Sequence, residues 1–236
     1  MIKAVLFDFD QTLVDSADGF RRAEKQAQKK IFEDISVTSW NDFLSVYRYL
    51  RKQFHRASNL SRKALWEEVY RHHGRPCDSC VLEKWEDDYW LTVKARTALF
   101  PETLSTLRNL ARRFKLAVIT NTQAQAGGQK HRLTDTPHLT DCFDTVIVAG
   151  EAGVPSKPDP GVFLMCLETL SLDPGQAVYV GDDWHTDICG AADAGIQPIW
   201  IKHHSLSRSW PQPDREISVP VITSLDSLLD IDSIIS

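Results

Sequence analysis

Five apolar stretches of strand length set the frame for this chain: residues 2–7, 116–119, 145–148, 177–180 and 198–201. Each is too short for a helix and rich in β-branched or aromatic residues, so each predicts a strand. Their hydrophobicity is nearly continuous, the pattern of parallel strands covered on both faces. Helical patterns interleave with them over 101–113, 123–133, 160–170 and 186–194. Strand and helix in alternation predict an α/β fold built on a doubly wound parallel sheet.

One stretch breaks the alternation. Residues 16–97 carry helical periodicity and aromatic residues, among them Trp40, Tyr47, Trp66, Tyr70, Trp85, Tyr89 and Trp90, without a clear strand. They read as an inserted α-helical domain, leaving 1–15 and 98–236 as the α/β core. The aromatics suit the interior of a small bundle better than a base-stacking platform. Arg48, Lys52 and Arg56 recur every four residues there, a spacing that suits either a solvated helix face or a basic stripe toward an anion; Arg21 and Arg22 are alternative anion contacts. Cys77 and Cys80 follow His72-His73, but a second cysteine pair at zinc-site spacing is lacking, so a loop with free thiols is expected. His203-His204 reads as surface, His185 as a neighbour of an acidic cluster without an evident partner, and Trp200 as packing from the last strand.

The formal net charge of -5 argues against a general nucleic-acid binder, which needs clustered cations in excess. Five widely spaced cysteines fit reduced thiols in a cytoplasmic protein. The opening Met-Ile-Lys-Ala-Val-Leu-Phe-Asp ends in acids and is expected to be a buried strand, not a secretory leader. No run approaches the roughly 18 apolar residues of a membrane span, so no membrane association is expected.

Four short patterns carry the chemistry. Asp8 and Asp10 follow the first strand, at the carboxyl end where α/β sheets bind ligands. Two acids so close need a cation or a shared proton; one can attack while the other moves a proton on and off the leaving group and water. Alone, the pair would equally serve a loop or cap a helix. The second strand ends in Thr120-Asn121, whose hydroxyl and backbone N–H can donate to a phosphoryl oxygen, or simply close a turn. Lys157 stands in Pro155-Ser-Lys-Pro158, held by the prolines, where an ammonium can offset the charge of a carboxylate and a phosphoryl group. Gly181-Asp182-Asp183 and Asp187 follow the fourth strand. Carboxylate-rich sites favour Mg²⁺ over zinc; Asp182 lies nearest the strand end as a direct ligand, and Asp187 can bind through water, orient Lys157 or cap the next helix.

These four patterns, in this order and each at a strand end, resemble the haloacid dehalogenase (HAD) superfamily of phosphohydrolases. Asp8-Phe-Asp10-x-Thr12 is similar to the first family motif, Thr120 to the second, Lys157 to the third and Gly181-Asp182-Asp183 with Asp187 to the fourth. The resemblance implies a Rossmann-like core, Asp8 as nucleophile, Asp10 as general acid/base, and Thr120 and Lys157 as stabilisers of the phosphoryl group. It implies Mg²⁺ held by Asp8, the Asp10 backbone carbonyl and Asp182, with Asp187 assisting. It further implies that 16–97 is a helical cap of the type lying between the first two motifs. Gln11 departs from the pattern, since many members carry Gly there.

The function expected is a Mg²⁺-dependent phosphatase acting on a small phosphorylated metabolite through a phosphoaspartate, as a monomer or homodimer. Three rivals stand beside it: a phosphomutase, a dehalogenase, and a non-catalytic phosphate-binding regulatory protein. Dehalogenases of the family do without the second aspartate, so Asp10 disfavours that one. The full set of polar groups disfavours a protein that has lost turnover.

Overall fold

The computed structural model describes residues 1–57, 59–122, 132–151, 153–210, 213 and 215–235. Eight strands form among the described residues: β1 (Ala4–Phe7), β2 (Val14–Asp15), β3 (Ala98–Leu99), β4 (Lys115–Asn121), β5 (Thr145–Ala149), β6 (Ala177–Gly181), β7 (Gln197–Ile201) and β8 (Val221–Ile222). Six of them make one sheet in the order β5-β4-β1-β6-β7-β8, with every neighbouring pair parallel. β2 and β3 pair antiparallel in a separate ribbon. The architecture is α/β with a parallel sheet, as the apolar runs predict. The two-residue strands β2, β3 and β8 were not foreseen, because elements this short carry no pattern of their own.

The continuous hydrophobicity of the strands has a two-sided cause. On one face Val5, Phe7, Leu116, Val118, Val178 and Val180 pack with Leu107, Leu110, Leu225 and Leu228. The alternate residues Ala4, Leu6, Ala117, Ile119, Ala177 and Tyr179 point to the other face, against Val162, Phe163, Cys166 and Leu167. A period-two chain with a core on each side needs apolar residues at every position.

Nine helices accompany the strands among the described residues: α1 (Ala17–Ile35), α2 (Trp40–Arg56), α3 (Arg62–His72), α4 (Ser79–Lys94), α5 (Thr103–Leu110), α6 (Pro137–Thr140), α7 (Pro160–Leu170), α8 (Gly190–Asp193) and α9 (Ile231–Ile235). Helix α7 starts where Asp159 accepts from Gly161 N with Pro160 at the first position, a strong start signal. The helix expected over 101–113 is shorter. That expected over 186–194 divides into a π-helical turn, Trp184–Cys189, followed by α8. The one expected over 123–133 falls largely outside the described residues; Arg132–Asp135 is a 3₁₀ turn.

By internal contacts the chain forms two compact units, one with Met1–Asp15, Ala98–Thr122 and His131–Ser236, the other with Ser16–Thr97 among the described residues. The second unit contains α1 to α4. Ser39, Ser61 and Asp78 cap α2, α3 and α4 by accepting from backbone N–H groups one turn on. Ala23, Ala27, Ile31 and Ile35 line the buried face of α1 at four-residue spacing. They meet Tyr47, Trp66, Tyr70, Tyr89 and Trp90 in a single core, so most of the aromatics are interior. Gly19 lets α1 approach α4: a Cβ there would lie 2.8 Å from the Val93 carbonyl oxygen. None of the described helices is long and apolar enough to cross a membrane.

Candidate active site

The sheet order puts β1 between β4 and β6, so the residues leaving these three strands meet at one edge. Asp8 follows β1 directly, its N–H donating to Val180 O at 2.9 Å. Thr120 and Asn121 end β4 on one side of it, and Asp182 follows β6 on the other. Asp8, Thr120, Lys157, Asp182 and Asp187 are all buried.

Lys157 is the hub. Its Nζ donates to Asp8 Oδ1 at 2.7 Å, to Asp187 Oδ1 at 2.7 Å and to the Tyr179 hydroxyl at 2.9 Å. Its backbone is held as firmly: Lys157 N donates to Asn121 Oδ1 at 2.8 Å, and Asn121 Nδ2 donates back to Lys157 O at 3.2 Å. The Asn121 side chain therefore clamps the lysine loop to the end of β4. Asp187 reaches the hub because Gly181 leaves room; a Cβ on Gly181 would lie 2.5 Å from the Asp187 side chain. Asp187 Oδ2 also accepts from Asp183 N at 3.0 Å, and Asp183 caps the π-helical turn through Thr186 N.

Burial and mutual repulsion shape the protonation of the cluster. Burial pushes Asp8 up to about 7, against the downward pull of Lys157, and the nearby Asp187 adds to the rise. Asp182 is raised well above the carboxylate range by burial, then by Asp8 and Asp187. Asp187 is raised chiefly by burial, which Lys157 opposes. For Lys157 burial works against the charge, but Asp187 and Asp8 outweigh it and hold the ammonium well above its ordinary value.

Carboxylate oxygens of Asp8, Asp182 and Asp187 all lie within 4.8 Å of one another. Three buried, oxygen-only donors whose ionised forms are mutually destabilised suit a hard divalent cation. The donor set therefore fits a cation such as Mg²⁺, the one expected from the acidic pattern. The Asp10 side chain is engaged elsewhere: Arg132 Nη2 donates to its Oδ1 at 2.5 Å and Oδ2 at 2.7 Å.

Three groups at the site went unread in the sequence. Tyr179 had a signal, a phenol in the otherwise apolar β6, and its hydroxyl lies 3.2 Å from both Ile119 O and Asp187 Oδ1. Arg132 and Arg208 had none, since both reach their aspartates across long sequence separations. Arg208 Nη1 donates to Asp182 Oδ2 at 2.5 Å and to Gln11 Oε1 at 3.0 Å. Gln11 itself adopts a left-handed φ of 58°, a conformation that favours Gly.

The remaining candidates scatter. Arg21 and Arg22 pair with Asp18, while Arg48, Lys52 and Arg56 lie exposed on α2. Cys77 and Cys80 are exposed free thiols, and His185 is exposed. His203 corrects its surface reading: it is buried, stacked on Phe100 with ring centroids 3.7 Å apart, and its Nε2 lies 2.8 Å from Glu102 Oε1. A carboxylate partner and an aromatic neighbour give the imidazole an interior place. Trp200 packs on Trp184 and Trp210, and its Nε1 donates to Asp182 O at 2.9 Å.

A family model described as haloacid dehalogenase-like hydrolase matches residues 2–195. The chain belongs to this family. It is 28% identical over 238 residues to an N-acylneuraminate-9-phosphatase of Mus musculus, covering 97% of this chain and 94% of the relative. It is 34% identical over 225 residues to a phosphoserine phosphatase of Thermus thermophilus, covering 85% and 88%. Among solved structures, a HAD phosphatase from Thermococcus onnurineus superposes with a TM-score of 0.66 at 25% identity, covering 99% of each chain. Membership makes this HAD-like protein a hydrolase, with the Asp8 motif at the start of the matched region and Asp187 near its end.

Proposed function

We propose that the protein is a Mg²⁺-dependent phosphatase that hydrolyses a small-molecule phosphomonoester through a phosphoaspartate on Asp8. The observation that carries this reading is the buried Lys157 ammonium 2.7 Å from Asp8 Oδ1, at a strand end shared with Asp182 and Asp187. The phosphatase names of the relatives support the ester class.

In the proposed reaction Asp8 attacks phosphorus in line while the ester P–O bond breaks. The leaving oxygen keeps the bonding electron pair and takes a proton from Asp10. Asp10 then removes a proton from water, whose oxygen attacks phosphorus and releases inorganic phosphate and the Asp8 carboxylate. Arg132 holds the Asp10 side chain in place. Thr120 and Asn121 donate to the phosphoryl oxygens, and Lys157 offsets the charge of a carboxylate and a phosphoryl group brought together. Asp8, the Asp10 backbone carbonyl and Asp182, with Asp187 assisting, would hold the cation. When bound, it supplies Lewis-acid stabilisation of the same oxygens. The helical unit, residues 16–97, takes the part of a cap, a type of element that limits water access during attack. Five free thiols support a reducing, cytoplasmic setting.

The test is a panel of phosphomonoesters, including phosphoserine and N-acylneuraminate 9-phosphate, assayed for phosphate release with Mg²⁺ and with chelator. Replacement Asp8→Asn should lower turnover by about a thousandfold or more with the fold retained by circular dichroism. Wild-type turnover by the pure variant would remove Asp8 from the mechanism.

A further inference from the structure

Four carboxylates gather at the site, and each already has a cation of the chain beside it. Lys157 serves Asp8 and Asp187, Arg132 serves Asp10, and Arg208 serves Asp182. These cations are not equally fixed. The Lys157 and Arg132 side chains are 2% and 5% exposed, whereas that of Arg208 is 26% exposed. Arg208 also stands on the long connection between β7 and β8, its guanidinium carbon 4.6 Å from the centre of the Trp210 ring. It is the cation of the three that can withdraw without uncovering buried charge on itself.

Arg208 has somewhere to go. The same Nη1 that donates to Asp182 Oδ2 also donates to Gln11 Oε1. Gln11 occupies a left-handed position where Gly would be unstrained, and its amide oxygen offers a second, neutral acceptor. We propose that Arg208 is a tethered counter-ion which neutralises Asp182 and yields that carboxylate to a divalent cation, keeping Gln11 as its remaining partner. Arg208 is thus a positioning residue, and the connection that bears it sets how tightly the site takes its metal. The inference rests on Asp182 being a metal ligand, as proposed above.

The electrostatic sign separates this role from a merely structural one. Removing a unit positive charge beside a site for a divalent cation raises the attraction for that cation, whereas losing a support that only shapes the ligand lowers it or leaves it unchanged. The experiment titrates Mg²⁺ into the full, chelator-stripped protein and follows tryptophan emission, since Trp200 donates to Asp182 O and packs on Trp210. Calorimetry gives the dissociation constant independently. Replacement Arg208→Met should tighten Mg²⁺ binding by about tenfold. Arg208→Lys, which keeps the charge, should stay within about twofold of wild type. Unchanged or weaker binding by Arg208→Met overturns the inference while leaving the metal site standing. Absence of any Mg²⁺ response in the wild type overturns both together.

Discussion

Two regions of this chain bury carboxylates next to cations, and they do so in opposite ways. In the helical unit Glu24 Oε2 lies 3.3 Å from the Tyr89 hydroxyl and 4.0 Å from Arg62 Nε, while Arg51 Nη1 lies 3.6 Å from Oε1. One acid is set among two guanidiniums and a phenol, drawn from α1, α2, α3 and α4. In the sheet unit the order is reversed: acids from one strand end, a neighbouring strand end and a π-helical turn converge, and Lys157 must serve two of them. Surrounding an acid with cations holds helices in register. Crowding acids leaves a standing demand for positive charge, which is what a phosphoryl-transfer site exploits.

The contrast can be broken by mutation. The largest combined effect on turnover and stability is expected at Lys157→Met, which leaves two buried carboxylates without their shared ammonium. It should lower turnover by about a hundredfold or more and destabilise the protein by about 3–5 kcal/mol, read by steady-state kinetics and urea denaturation. A variant with full activity would show that the ammonium is only structural. Glu24→Gln should cost about 1–3 kcal/mol by the same denaturation while kcat stays within about twofold of wild type. Lost turnover at unchanged stability would move Glu24 from the structural side to the chemical side.

The third prediction sharpens the contrast through pH. Asp8 has an ordinary value of 3.8 and is raised to about 7 in the folded chain, so between these values the native state binds more protons than the unfolded one. Metal-free stability should therefore fall as pH rises from about 4 to about 7, and the raised Asp182 and Asp187 act with the same sign. Denaturation in chelator should show this decline, with a shallower slope in Asp8→Asn. A slope unaffected by Asp8→Asn would mean that Asp8 is ionised throughout.

The fold was legible where one strand carries its own pattern. Runs such as Ala4–Phe7 and, apart from the Tyr179 hydroxyl, Ala177–Gly181 are apolar throughout because each face has its own core. The ribbon β2–β3 was not legible, since two-residue strands exist only through pairing with a partner far along the chain. The same division holds at the site. Asp8, Thr120 and Asp182 stand out in the sequence because strand ends mark them, and Lys157 because prolines flank it. Arg132, Arg208 and His203 were missed because their partners, Asp10, Asp182 and Glu102, lie 122, 26 and 101 residues away. Local pattern reports local geometry, and charge pairing over such spans leaves no local trace.

The small ribbon has a consequence for how the chain can be rebuilt. Asp15 pairs with Ala98, so the points where the chain leaves the sheet unit and returns to it face each other across one rung of a ladder. To the sheet unit, everything from Ser16 to Thr97 is topologically a single turn, and the entropy of closing a turn grows only slowly with its length. The helical segment is in that sense a cassette. Grafting a different helical insert between Asp15 and Ala98 leaves every pairing of the parallel sheet in sequence reach, so the reacting groups and the insert can be varied as separate parts.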